Sequence, residues 1–313
     1  MNNVDRVLAP VAIFVYNRLS NTKKVIEALS KNYLAPETNI FIFSDAPKTE
    51  KDKEAVDSVR KYIHQVDGFK SVNIIERKEN FYIEKNIIDG VTEIISQHEK
   101  IIVLEDDGVT ARNFLSYMND ALDFYYDKKK IMHIASFTFI KMPNNYKKTI
   151  LWRYSENTGG GWATWKNRWD KFKWFSTEEE GLACLSDKQK DMIEFGGVFR
   201  CLNNLKASPI PWDVCWYIAI ISNNCLAVNP PVSLMKNIGL YNGTHFSPFH
   251  RLLGRSPWEV EIVEDQKIIF EDNLTENALA VNLLTRVFKK INRKNQFART
   301  LKILKNKIQS IKD

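Results

Sequence analysis

The first half of the chain alternates short apolar runs with segments of helical period, the pattern of a parallel sheet whose strands are joined by covering helices. Val11 to Tyr16, Asn39 to Ser44, Ser71 to Glu76, Lys100 to Leu104 and Ile131 to Ser136 read as strands. Ser20 to Lys31, Glu50 to Gln65, Phe81 to Gln97 and Ala111 to Tyr126 read as helices; Ile87, Ile88, Val91, Ile94 and Ile95, for example, fall on one helical face. Beyond these the pattern breaks into short, aromatic-rich pieces, with Trp152, Trp162, Trp165, Trp169, Trp174, Trp212 and Trp216 in one stretch. Tryptophans bury large areas, so core packing is the ordinary reading; stacking on sugar faces is the other.

The fourth strand ends in Glu105-Asp106-Asp107-Gly108. A buried strand that delivers carboxylates to its C-terminal end places them where open α/β sheets bind ligands. Three adjacent acids repel unless solvent, basic side chains or a cation such as Mg²⁺ or Mn²⁺ neutralises them, and such a cation binds diphosphates. A merely polar turn is the plainer alternative. Four further features invite attention: Asn17-Arg18 after the first strand, Ser44-Asp45 after the second, Gly159-Gly160-Gly161-Trp162, and Pro211-Trp212-Asp213 before an apolar helical run. At a helix start Asp213 suits an N-cap, and it equally suits a general base.

Charge changes the picture at one end only. Of the net +7, residues 281–313 carry ten Lys or Arg and one Asp, which leaves residues 1–280 near neutrality at −2. That distribution argues against nucleic acid as a partner. Val281, Leu284, Val287, Phe288 and Ile291, then Leu301, Leu304, Ile308 and Ile311, recur at helical spacing among the basic residues. Such a tail suits either an anionic membrane surface or docking on its own domain. No run approaches the roughly 18 apolar residues of a membrane span, and the four cysteines form no CxxC pair. These features lead us to expect reduced thiols in a cytoplasmic protein, peripheral at most to the inner face of the membrane.

In their order, the motifs resemble those of GT-A glycosyltransferases, specifically the inverting N-acetylglucosaminyltransferase I group and its bacterial relatives. That group has an EDD triplet after an apolar strand, matched by Glu105-Asp106-Asp107. Its LYR…GLGW stretch is similar to Leu151-Trp152-Arg153 and Gly159-Gly160-Gly161-Trp162, its WDDW to Trp212-Asp213-Val214-Cys215-Trp216, and its G-x-SHG loop to Asn242-Gly243-Thr244-His245. The resemblance covers about Val11 to Phe246. Two departures stand out: Val214 replaces the family's second aspartate, and no histidine loop precedes Phe81.

The resemblance implies a mostly parallel, GT-A-like α/β fold, to which the periodicity of the tail adds a C-terminal helical extension. It implies a domain over residues 1–255, with a donor half at about 1–136 and an acceptor half at about 137–255; residues 256–280 then connect to the basic tail at 281–313. It also implies a metal-dependent, inverting transfer of a hexosyl or N-acetylhexosaminyl group from a nucleotide sugar, a UDP-sugar such as UDP-N-acetylglucosamine, to a surface-polysaccharide or lipid-linked acceptor. Asp107 would bind Mn²⁺ or Mg²⁺, and Glu105 and Asp106 would face the donor's sugar and ribose. Arg18 and Asp45 would lie by the nucleotide base, and Gly161, Trp162, Thr244 and His245 along the donor. Asp213 would be the base. A non-catalytic carbohydrate-binding or scaffold protein is the alternative outside enzymes, and a nucleotidyltransferase the lesser one within them, since Asn17-Arg18-Leu19-Ser20 lacks a glycine-rich phosphate loop.

Overall fold

The computed structural model of the protein describes residues 6–157, 160–240 and 256–293. Four parallel strands form one side of the central sheet: β1 (Val11–Val15), β2 (Asn39–Ser44), β3 (Ser71–Glu76) and β4 (Lys100–Glu105), in the spatial order β3-β2-β1-β4. The helices between them are α1 (Leu19–Ser30), α2 (Lys53–Ile63) and α3 (Tyr82–His98). Each lies where the 3.6-residue period of the sequence puts it. After the short β5 (Gly108–Thr110) come α4 (Phe114–Phe124) and β6 (Ile131–Ala135).

The second half contributes strands that hydrophobic alternation did not reveal. They are β7 (Ile150–Trp152), β8 (Trp162–Trp165), β9 (Leu226–Asn229) and β10 (Met235–Asn237). β8 inserts antiparallel between β4 and β6, which completes an eight-stranded mixed sheet in the order β3-β2-β1-β4-β8-β6-β9-β7, while β10 pairs antiparallel with β5. Both β7 and β8 are buried along their whole length, so they carry no polar alternation for a sequence reading to find. Helices α5 (Lys166–Trp169), α6 (Glu178–Ala183), α7 (Asp187–Ile193) and α8 (Trp212–Ser222) fill the aromatic-rich region.

Strand alternation divides the core between the two faces of the sheet. Val11, Ile13, Ile40, Ile42, Ile102 and Leu104 belong to one cluster. Ala12, Phe14, Phe43, Ile101 and Val103 belong to the other, with the α3 residues Ile87, Val91, Ile94 and Ile95 and with Trp162, Trp169, Trp212 and Trp216. Most of the tryptophans are therefore core, with Trp152, Trp162, Trp165 and Trp216 completely buried, whereas Trp174 is 37% exposed.

A last helix, α9, covers residues 278–293. Asn277 caps it by accepting from the Ala280 amide at 3.0 Å. Its apolar stripe, Ala280, Leu284 and Phe288, is buried in the core, and Phe288 stacks on Phe199 with ring centroids 4.5 Å apart. Of the two readings the sequence left for residues 281–293, docking on the domain is what this packing displays. Residues 294–313, which hold the second apolar set, lie outside the described residues. Among the described residues no helix is long and apolar enough to cross a membrane.

Candidate active site

Parallel register brings the C-terminal ends of β1, β2 and β4 level, with Val15 beside Ser44 and Phe14 beside Glu105. The residues that follow, Arg18, Asp45, Asp106 and Asp107, thus share one edge of the sheet. Arg18 sits immediately before α1, and its main-chain carbonyl accepts the Thr22 amide at 2.9 Å. That anchor aims the guanidinium back at the triplet. Nε donates to Asp106 Oδ2 at 3.2 Å, Nη2 pairs with Asp106 Oδ1, and Nη1 reaches Asp107 Oδ2 at 3.5 Å. A forked arginine on a carboxylate is the strongest common form of such a pair.

One guanidinium does not balance three acids. Asp106 is 3% exposed, and burial raises its carboxyl to about 6 even though Arg18 draws it down. Burial, reinforced by Asp107 and Asp106, pushes Glu105 well above the usual carboxylate range. Burial also raises Asp107, against the pull of Arg18 and of a hydrogen bond from Asn237. If all three ionise, the cluster with Arg18 carries a residual −2, the charge a divalent cation cancels.

Asp107 also has an unused acceptor: its Oδ1 is buried and has no hydrogen-bond partner among the described residues, whereas its main-chain carbonyl accepts the Ile238 amide at 2.8 Å. No group of three or more His, Cys, Asp or Glu among the described residues forms a ready metal cage. A hard cation that arrives with a diphosphate needs only one or two protein carboxylates, because phosphate and water oxygens complete its shell. Asp107 Oδ1 fits that requirement.

Two glycines shape the surroundings. Gly160 has φ +77°, and a Cβ there would lie 2.5 Å from the Glu105 amide nitrogen, so the backbone at Gly160 rests directly on that of Glu105. A Cβ on Gly239 would lie 2.3 Å from Asp107 Oδ2. Gly161 is buried as well, and its carbonyl accepts the Ser136 amide and hydroxyl, each at 2.8 Å. Trp162 is fully buried, its ring 5.2 Å from Trp212 and 5.7 Å from His133. This tryptophan supports the site from beneath rather than lining it.

The Trp162–Trp212 stack brings the start of α8 to the same place. Pro211, not Asp213, occupies the N-cap; Asp213 is the second helical residue, and its Oδ1 accepts the Val214 amide at 2.8 Å. Its charge is felt at Glu105, where it helps raise the carboxyl. Asp45 is buried and its Oδ1 accepts the amides of Ala46 and Phe81, both at 2.9 Å, so that oxygen organises the loop before α3. Arg18 is likewise committed to the triplet. Thr244 and His245 lie outside the described residues.

Other residues of the site went unnoticed in the sequence. Arg77 follows β3 as Asp45 follows β2; its guanidinium lies over Phe43 and Phe81, at 5.1 and 4.8 Å, and donates to Asn86 Oδ1 at 3.1 Å. Its position one residue past a strand was the available signal. His133 is buried in β6, its Nε2 3.1 Å from the Glu156 carbonyl and its Nδ1 3.2 Å from Trp216 Nε1. Since the indole must donate, the proton lies on Nε2 and the ring is neutral; burial takes its pKa down to about 4. Asn237 and Gly239 became visible only through the β10–β5 pairing.

No protein-family model matches the chain, and no curated protein matches it. Among solved structures, the chain is similar to mannosyltransferase PcManGT from Pyrobaculum calidifontis in complex with GDP-Man and Mn²⁺, with TM-score 0.37 and 11% identity over 53% of this chain and 48% of that one. It is also similar to S. aureus TarS 1-349 in complex with UDP-GlcNAc, with TM-score 0.32 and 15% identity over 45% of this chain and 36% of that one. For the same protein in complex with UDP the values are 0.38 and 13%, over 60% and 55%. The similarity therefore spans from about a third to just over half the length of these chains. All three overlaps are partial and distant.

Proposed function

We propose that the protein is a GT-A-like glycosyltransferase that moves a sugar from a nucleoside diphosphate, with a UDP-sugar as the first donor to test, to a surface-polysaccharide or glycolipid acceptor. The observation that carries this reading is the buried Oδ1 of Asp107, without a hydrogen-bond partner among the described residues, within a three-acid cluster that Arg18 only partly neutralises. The site lies at the strand-end edge where open sheets hold nucleotides. Asp213, early in α8 and near enough for its charge to help raise the Glu105 carboxyl, is the candidate proton acceptor.

In this reading Asp107 would hold Mn²⁺ or Mg²⁺ through Oδ1, and such an ion would supply positive charge for the diphosphate leaving group. Arg18 keeps Asp106 and Asp107 in place and spaced. Glu105, beneath the glycine loop, faces the donor sugar. Asp213 takes the proton of the acceptor hydroxyl as its oxygen bonds to the anomeric carbon and the carbon–phosphate-oxygen bond breaks; the electron pair leaves with the nucleoside diphosphate, and configuration inverts. Burial of the surrounding walls by the tryptophan cluster keeps these charges in a medium where each acts strongly.

The test is release of nucleoside diphosphate from a panel of nucleotide sugars, with Mn²⁺ and with EDTA. Metal-dependent release from at least one donor supports the assignment. No release and no binding of any donor, in folded protein with Mn²⁺ present, overturns it in favour of a carbohydrate-binding or scaffold role.

A further inference from the structure

Helix α9 spends its apolar stripe on the core, and what it leaves outside is basic. Arg286, Lys289, Lys290 and Arg293 are all exposed, at i, i+3, i+4 and i+7, and so share one face of the helix. No acid interrupts residues 277–293, and none of these four side chains enters an ion pair among the described residues. The stripe is fixed to the fold on both sides: Phe288 stacks on Phe199, and Asn292 Nδ2 donates to the Val198 carbonyl at 2.6 Å. Arg200, also exposed, follows two residues after Val198.

We infer that this face is an electrostatic docking surface for anionic lipid headgroups, held against the membrane by charge and not by insertion of α9. Chain beyond the helix points the same way by composition. Residues 294–313 add six Lys or Arg against one Asp, and Leu301, Leu304, Ile308 and Ile311 recur among them at helical spacing. Nucleic acid phosphates have no use for such an apolar set, while the interfacial region of a bilayer does. An arrangement in which the apolar residues of α9 are unavailable makes the binding it provides sensitive to salt. The inference stands apart from sugar transfer, since it concerns attachment and not the sheet edge.

The experiment is co-sedimentation of the full chain with phosphatidylglycerol/phosphatidylcholine vesicles and with pure phosphatidylcholine vesicles, across a salt series, with a short DNA duplex as competitor. The comparison protein carries Arg286→Glu, Lys289→Glu, Lys290→Glu and Arg293→Glu together. Each basic residue near an anionic surface contributes about fivefold to binding, so four reversals lower anionic-vesicle affinity at least about a hundredfold. The midpoint of thermal unfolding is expected to be unchanged, because none of the four side chains packs. Vesicle binding that ignores salt, equal binding by the quadruple variant, or preference for the duplex over the vesicles overturns the inference. Removal of residues from 281 onward is not an equivalent test, because it strips Leu284 and Phe288 from the core.

Discussion

If the acidic triplet is organised for an incoming cation, the metal-free protein is less stable for it, and Asp106→Asn should reveal by how much. In the folded chain the Asp106 carboxyl is raised from 3.8 to about 6, chiefly by burial. A folded state that binds the proton more tightly than the unfolded state gains stability at low pH and loses it as pH rises from about 4 to about 6. At about 1.4 kcal/mol per pH unit the loss reaches about 3 kcal/mol above that window, taken as an upper value for a coupled cluster. The amide cannot ionise, and like the protonated acid it keeps an acceptor for Arg18. In EDTA at pH 7.5 the variant should therefore resist urea better than the parent, by up to about 3 kcal/mol, and the gain should shrink toward zero near pH 4. Equilibrium urea unfolding of both proteins at four pH values between 4 and 7.5 measures it. A variant less stable than the parent at pH 7.5, or a gain that persists undiminished at pH 4, refutes the reasoning.

Three other outcomes follow from the geometry. Leu284→Ala should cost about 2–5 kcal/mol in the same unfolding assay, since it opens a cavity where α9 meets the core; a cost under about 0.5 kcal/mol would mean that α9 is not docked. Gly239→Ala places a methyl against Asp107 Oδ2 and should weaken Mn²⁺ binding at least about tenfold, followed by the paramagnetic signal of free Mn²⁺, while the unfolding midpoint moves little. Asp213→Asn should lower transfer by about 10²–10⁴ with donor affinity kept, as loss of a proton acceptor does; a parallel collapse of donor binding would make Asp213 a donor contact instead.

The strands and helices of the first half were legible because each announces itself by period: β1 to β4 as apolar runs, α1 to α4 by apolar faces. The acidic triplet was legible as chemistry because three carboxylates at a strand end demand a neutraliser. Its neutraliser was not, since Arg18 and Asp106 are 88 residues apart in sequence and meet only when β1 and β4 pair. Likewise the short strands β7 and β8 hide in aromatic sequence because both of their faces are buried. Asp213 stands at a helix start as its sequence context suggests, but the N-cap belongs to Pro211; the aspartate accepts the Val214 amide within the first turn, and its charge is felt at Glu105. For residues 281–293 the periodic pattern matches the helix that forms, but period alone does not say whether an apolar face meets lipid or core.

The central claim, that Asp107 joins a divalent cation to a donor diphosphate, is most directly tested by calorimetric titration of UDP into the protein and into Asp107→Ala, each with Mn²⁺ and with EDTA. The account predicts binding by the parent that requires Mn²⁺ and is lost in Asp107→Ala while that variant remains folded. Binding of UDP with equal affinity by both proteins, or equal binding in EDTA and in Mn²⁺, would contradict it.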